Sequence, residues 1–144
     1  MLHASLDCFT DMFDWPSVRT EERKECHSIG VANFHKCLPI LASSRFPLII
    51  DHVFERESWF EEIFLAPKGK KTFFVGIHCP LSVLEERERK RGDRRLGLAK
   101  LQFDLVHMNK NYDLELDTSI FSSDECAKRI LDQINITRCE PIIS

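Results

Sequence analysis

The most restrictive feature of this sequence is the run from Thr72 to Cys79, TFFVGIHC, in which nearly every residue is apolar. A strand with one exposed face alternates polar and apolar residues, whereas a strand buried on both faces is apolar throughout. The run therefore predicts a strand in the interior of a parallel sheet, with helices packed on both faces of that sheet.

Further strands and helices are predicted to alternate along the chain. Strands are expected at Leu2 to Leu6, at Phe46 to Ile50 and in the alternating segment 112–117. Helices are expected over 29–44, 57–65, 81–91, 96–108 and after a Ser122–Glu125 capping box. Pro39 should kink or end the first of these helices. Strands separated by helices pair in parallel through right-handed crossovers, so the predicted fold class is α/β.

Composition indicates one domain and excludes several functions. A chain of 144 residues is long enough for one hydrophobic core, and its net charge of -3 argues against general affinity for nucleic acid. No apolar run is long enough to span a membrane, and no hydrophobic signal segment opens the chain. The six cysteines have no C-x-x-C spacing and match no standard zinc pattern, so we expect no metal-binding cysteine cluster. We expect their thiols to be reduced and the location to be cytoplasmic.

Two aspartates follow predicted strands, Asp7 after the first and Asp51 after the second. Ligands of parallel sheets bind at the carboxyl ends of strands, so this rule places both side chains at the site. An aspartate in this position is often only a turn residue or a helix cap. The functional alternative is that Asp7 accepts a proton from a hydroxyl group and that Asp51 lies near a magnesium ion.

A basic segment follows the buried strand, with six Lys or Arg residues among positions 87–95. Part of it is explained as a solvated helix surface with i,i+4 ion pairs. That explanation does not cover Arg91 and Arg94, which flank Gly92 at a break between two helices. A helical hairpin carrying arginines is suited to close over phosphate oxygens, which predicts a lid over about 81–108. A nucleic-acid patch is the alternative, but the segment lacks interleaved aromatic residues for base stacking.

Several segments together resemble the chloramphenicol phosphotransferase-like proteins, which are small ATP-dependent kinases of the P-loop class. The similar segments are LIIDHVF (48–54), VGIHCPLSVLEERE (75–88), RGDRRLGLAKLQ (91–102), VH (106–107), YDLELDTS (112–119) and SSDECAKRI (122–130). They lie in order and at matching spacing over most of residues 46–131. Leu6-Asp7 resembles, over a shorter stretch, the strand end that carries the family's catalytic aspartate.

The resemblance implies a three-layer sandwich and transfer of the ATP γ-phosphate to a hydroxyl of a small molecule, with Mg²⁺. By position, Asp7 would be the base for the acceptor hydroxyl, and Arg91 and Arg94 would be lid arginines that neutralise the transferring phosphoryl group. Asp51 would lie near the nucleotide phosphates, and Arg87 would support the lid. Chloramphenicol is the namesake acceptor, and no nucleic-acid or membrane partner is expected.

One departure from the family affects the mechanism. The phosphate-binding loop G-x-x-x-x-G-K-[ST] does not occur in these residues, and the resemblance places it before Met1. We therefore expect residues 1–144 to form an incomplete kinase-like domain without the first strand, loop and helix, and to bind ATP weakly or not at all. The alternatives are a non-catalytic remnant or interaction protein, and a nucleic-acid binder that uses Arg87 to Arg95.

Overall fold

The computed structural model describes residues 1–65, 71–92 and 96–139. Contacts divide the chain into two compact units, Met1–Lys70 (unit 1) and Lys71–Ser144 (unit 2). Each unit is described by itself below. The expectation of one domain over residues 1–144 stays a prediction.

The described residues of unit 1, 1–65, form a pair of parallel strands and three helices. Its elements, in chain order, are β1 (Leu2–Ser5), α1 (Leu6–Thr10), α2 (Arg23–Ala42), β2 (Leu48–Asp51) and α3 (Glu57–Leu65). The register of the strands runs from Leu2 opposite Leu48 to Ser5 opposite Asp51. The parallel pairing, which the alternation of strands and helices predicts, is therefore confirmed here.

Two helices of unit 1 differ from the sequence-based expectations. The first helix begins at Leu6, where the sequence predicts the end of the first strand, so Asp7 lies in a helical turn. Pro39 lies inside α2, and the helix does not end there but continues to Ala42. A proline removes one backbone hydrogen bond, and this loss is small so near a helix end. The last turn closes beyond it, since the Ser43 N–H donates to the carbonyls of Pro39 and Ile40 at 3.0 and 3.2 Å.

The core of unit 1 forms where α2 and α3 cover the strand pair and α1. Its buried residues come from β1, α1, α2 and α3: Ala4, Leu6, Val31, Phe34, Leu38, Trp59 and Ile63. Phe34 has no exposed surface, and its ring meets the ring of Phe9 edge to face at 5.2 Å. A pair of strands is only marginally stable alone, so α2 provides the apolar surface that β1 and β2 need.

Two parallel strands and three helices are also formed by the part of unit 2 that the structure describes, residues 71–92 and 96–139. Its elements are β3 (Val75–His78), α4 (Leu81–Arg91), α5 (Leu98–Val106), β4 (Leu114–Asp117) and α6 (Ser123–Cys139). β3 pairs with β4 from Val75 opposite Leu114 to His78 opposite Asp117. Two predicted helix ends are confirmed. Gly92 ends α4 in the left-handed conformation (φ 68°), and Ser122 and Glu125 exchange the hydrogen bonds of a capping box before α6.

The strand β3 is less buried than its apolar sequence predicts. Gly76 is buried, but Ile77 exposes 48% of its surface. Successive residues of a strand point to opposite faces, and Tyr112 and His107 cover only the face of Gly76 and His78. The described strands form two separate two-stranded sheets. The mixed α/β class with parallel strands is therefore confirmed, whereas a single sheet in a three-layer sandwich stays a prediction.

Replacing Phe34 by alanine should lower the free energy of unfolding by about 3–5 kcal/mol, because a fully buried ring leaves a cavity. Ile40 is a matched control on the same helix with 71% of its surface exposed. Its replacement by alanine should change stability by no more than about 0.5 kcal/mol. Denaturant unfolding of both variants measures the difference, and equal losses would contradict this assignment of the core.

Replacing Gly76 by alanine should destabilise unit 2 by about 1–3 kcal/mol through overpacking. The added Cβ would lie 2.7 Å from Tyr112 Cδ2 and 2.9 Å from His78 Nε2. Combining Gly76→Ala with Tyr112→Ala should cost less than the sum of the two single changes, because the ring that clashes is gone. Strict additivity in thermal or denaturant unfolding would show that the ring does not cause the loss.

Candidate functional site

The two predicted site aspartates of unit 1 lie at the same edge of its strand pair. Ser5 and Asp51 end β1 and β2 in register, and Ser5 Oγ donates to Asp51 Oδ2 at 3.5 Å. Asp7 lies two residues further on, in the exposed first turn of α1. A carboxylate in a first helical turn is also favourable for the helix dipole, so this position suits a structural as well as a catalytic role. The strand ends therefore gather Asp7 and Asp51 where a parallel sheet binds its ligands.

Directly after Asp51, a chain of polar groups connects three elements of unit 1. His35 of α2 places Nδ1 2.6 Å from Glu62 Oε2 of α3, and places Nε2 2.9 Å from Nε2 of His52. The His52 ring stacks on Phe54 with a centroid distance of 4.4 Å and an interplanar angle of 4°. No pattern in the sequence connects His52 with His35. The two residues are distant in the sequence, so no local pattern reveals the contact.

The environment of His52 strongly favours its neutral form. Burial lowers the pKa of His52 from 6.5 to about 4, the charge on His35 acts in the same direction, and a smaller backbone contact with Val53 opposes them. Within the part of the chain that the structure describes, its Nδ1 atom is buried without a hydrogen-bond partner. The Val53 backbone offsets burial only in part, so a second proton on this ring remains costly.

In unit 2, Arg87 joins α4 to the residue that follows β4. Its Nη1 donates to Thr118 Oγ1 at 3.0 Å, and its Nη2 donates to the Thr118 carbonyl at 2.7 Å. Thr118 in turn donates from its backbone N–H to the carbonyl of His78, at the end of β3. These contacts suit the expectation that Arg87 supports the lid. A direct contact of Arg87 with a cofactor stays a prediction.

A carboxylate of α4 caps the beginning of α5. Glu88 accepts hydrogen bonds from the backbone N–H groups of Gly97 at 2.8 Å and Ala99 at 3.0 Å. The pKa of Glu88 is lowered by the bond from Ala99 first and by that from Gly97 next, since both favour the charged form. The residue at the N-cap of α5 is Gly97, which has no side chain to do this. Glu88 thus connects the two helices on either side of the basic turn, a role that sequence reasoning missed.

The basic turn itself is described only in part. Arg91 is the exposed last residue of α4, whereas Arg94 lies outside the described residues. The predicted i,i+4 pair of α4 is present between Lys90 Nζ and Glu86 Oε1 at 2.6 Å. Lys90 therefore belongs to the helix surface, as predicted, and the roles of Arg91 and Arg94 stay predictions.

Two of the segments that resemble the family, VH (106–107) and YDLELDTS (112–119), contact each other after α5. His107 Nδ1 lies 2.9 Å from the Tyr112 hydroxyl, and the Asp113 carboxylate accepts a hydrogen bond from the Phe74 N–H at 2.6 Å. The His107 ring stacks on His78 at 3.9 Å, and His78 Nε2 lies 2.9 Å from Glu115 Oε2 without hydrogen-bond alignment. Burial, followed by the charge on His78, lowers the pKa of His107. These residues fix how α5 leads into β4.

The described residues do not fit the phosphate groups of a nucleotide. A phosphate-binding loop needs glycines between a strand and a helix. Here Gly30 lies within α2 and Gly76 within β3, whereas Gly92 and Gly97 end α4 and precede α5. Over residues 1–65, 71–92 and 96–139, no three His, Cys, Asp or Glu side chains converge as a metal site. Asp51 is thus a candidate to lie near the phosphates of a nucleotide, but the described residues include no glycine-rich loop that would bind those phosphates.

Replacing Glu88 by alanine should speed amide hydrogen exchange at Gly97 and Ala99, because both N–H groups lose their acceptor. Glu88→Gln keeps an acceptor oxygen and should give an intermediate effect. Glu86 on the same helix pairs with Lys90, so Glu86→Ala is the matched control and should leave these amides unchanged. Equal exchange at Gly97 in Glu88→Ala and in the unaltered chain would contradict the capping role.

Comparison with known proteins identifies the family of the chain and two similar proteins. Residues 7–135 match the family described as chloramphenicol phosphotransferase-like protein. Two Mycobacterium tuberculosis proteins, each named "Putative O-phosphotransferase", are 29% identical to the chain over 83 residues. This match covers 58% of the chain but only 37% of each relative's length. Among the described residues, no helix has the length and apolar character needed to cross a bilayer. The family match spans most of the sequence, and the chain therefore belongs to the chloramphenicol phosphotransferase-like proteins.

Proposed function

We propose that these residues are the acceptor and lid portion of an ATP-dependent O-phosphotransferase that phosphorylates a hydroxyl group of a small molecule. The observation that supports this most is the gathering of Asp7 and Asp51 at one edge of the β1–β2 pair. The family match begins at Asp7 and includes both aspartates. Chloramphenicol or a related small alcohol is the class of acceptor that the family suggests.

In this proposal the two aspartates have separate tasks. Asp7 is exposed at the beginning of α1, where an acceptor can reach it, and its carboxylate accepts the proton of the attacking hydroxyl. Asp51 receives a hydrogen bond from Ser5 at the strand edge, and in the proposal its carboxylate lies near the nucleotide phosphates. Arg91 and Arg94 neutralise charge on the transferring phosphoryl group, while Arg87 and Glu88 hold the two lid helices.

We propose ATP and Mg²⁺ as cofactors of the complete enzyme, but the described residues provide no phosphate cradle and no converging metal ligands. The 144-residue chain should accordingly gain no stability from a nucleotide, because binding only to the folded state is what raises a melting temperature. Thermal melts with and without millimolar Mg-ATP test this. A rise in melting temperature that saturates with ATP would contradict it.

Phosphotransfer can be tested by joining a strand, phosphate-binding loop and helix from a chloramphenicol phosphotransferase-like protein upstream of Met1. Transfer of labelled γ-phosphate to chloramphenicol and to other small alcohols is then measured. Asp7→Asn should lower the rate by about 10²–10⁴-fold, because the general base is lost. Asp11, at the other end of α1, is the matched control, and Asp11→Asn should keep the rate.

The outcomes of this experiment separate the proposal from its alternative. Transfer that requires Asp7 supports the enzyme. Transfer that persists in Asp7→Asn would remove Asp7 from the role of base. A folded fusion that binds ATP but phosphorylates no acceptor would favour the non-catalytic remnant or interaction protein.

A further inference from the structure

The Glu62–His35–His52 chain is a feature that the proposed phosphotransfer does not use. It joins α3, α2 and the segment after β2 through contacts of 2.6 and 2.9 Å. His35 exposes only 8% of its surface, and aromatic rings surround His52 on several sides. These rings are Phe34 at 5.6 Å, Phe54 at 4.4 Å and Trp59 at 5.7 Å between centroids. Water therefore has little access to the contact between the two imidazoles.

The geometry of the two histidines limits how many protons they can hold. Their Nε2 atoms are 2.9 Å apart, so the contact needs one proton, which one ring donates and the other accepts. The Nδ1–H of His35 is directed to the Glu62 carboxylate. If both rings carried two protons, two N–H groups would face each other. If the further proton instead went to Nδ1 of His52, the cation would be buried at an atom that has no aligned hydrogen bond, and the backbone of Val53 would offset that burial only in part.

We propose that this chain of groups is an acid-sensitive clamp, which holds the segment after Asp51 against α2 at neutral pH and releases it on acidification. The released segment begins beside the candidate site, since His52 follows Asp51 directly. Acid therefore loosens the segment that adjoins the strand edge at which Asp7 and Asp51 lie. The clamp itself does not depend on phosphotransfer.

Other charged groups lie near the pair, and they do not all act in the same direction. From α2, His27 lies close enough to disfavour charge on His52, in addition to His35. From the segment before α3, the Arg56 guanidinium lies over the Trp59 ring at 5.1 Å from its centroid. Glu62 of α3 is the carboxylate that contacts the pair. It is half-exposed, so solvent weakens its attraction for a further positive charge.

The direction of the pH effect follows from the two states of His52. Its pKa is about 4 in the folded chain and near 6.5 when the ring is exposed, so between these values the released state binds more protons. The clamp is fully stable above pH 6.5 and weakens as the pH falls toward 4. Each pH unit in this interval should favour the released segment by up to about tenfold.

Amide hydrogen exchange of the full chain, followed by NMR from pH 7.5 to 4.5, tests the clamp. EDTA in the buffer prevents metal ions from replacing the shared proton. After correction for intrinsic exchange, protection of the amides of residues 52–56 should fall toward low pH, while that of Val31 and Phe34 in α2 persists. Protection of 52–56 that stays constant over this range would overturn the proposal.

Two variants and one control identify the groups responsible. His52→Phe keeps a ring on Phe54 but removes the titrating group, so protection of 52–56 should no longer depend on pH between 6.5 and 4.5. Glu62→Gln keeps a hydrogen-bond acceptor for His35 but replaces a charged acceptor by a neutral one, so the clamp is weaker at every pH and release should move to higher pH. His3, exposed on β1, is the control, and His3→Gln should release as the unaltered chain does. A pH dependence that survives in His52→Phe, or an unchanged release pH in Glu62→Gln, would overturn the proposal.

Discussion

The parallel pairing of β1 with β2 is the constraint on which the candidate site depends. Parallel strands end at the same edge, and the register that sets Ser5 opposite Asp51 also brings the beginning of α1 there. The pairing survives because α2 covers it with buried residues such as Phe34 and Leu38. The position of Asp7 near Asp51 is therefore a consequence of core packing, although both side chains are exposed.

Unit 2 relies more on polar contacts than unit 1 does. Among its described apolar residues, Leu116 and Cys126 are buried, whereas the core of unit 1 contains seven buried residues. In unit 2, side chains of α4 make polar contacts with other elements: Arg87 donates a hydrogen bond to Thr118, and Glu88 caps α5. These contacts are exposed, and exposed hydrogen bonds contribute little net free energy, so they direct the helices more than they stabilise them. Orientation of α4 and α5 by exposed contacts is compatible with the proposed lid.

The proposed phosphotransfer assigns a role to elements of both units. Asp7 and Asp51 lie in unit 1, and the lid helices lie in unit 2, so each unit carries one part of the proposed chemistry. In the proposed clamp, the single proton shared by His35 and His52 makes the segment after Asp51 sensitive to pH. A site residue can thus be positioned by groups that take no part in the reaction.

The sequence by itself determined the α/β class, the parallel pairing, the left-handed end of α4 at Gly92 and the capping box at Ser122, because each depends on local periodicity or on backbone preference. It also placed Asp51 at a strand end, whereas Asp7 lies in the first turn of α1. Only the tertiary structure decided that α2 continues past Pro39, that Glu88 caps a helix nine residues later, and that His35 meets His52. Those contacts join residues that are distant along the chain, and the free energy of such contacts depends on packing that no local pattern records.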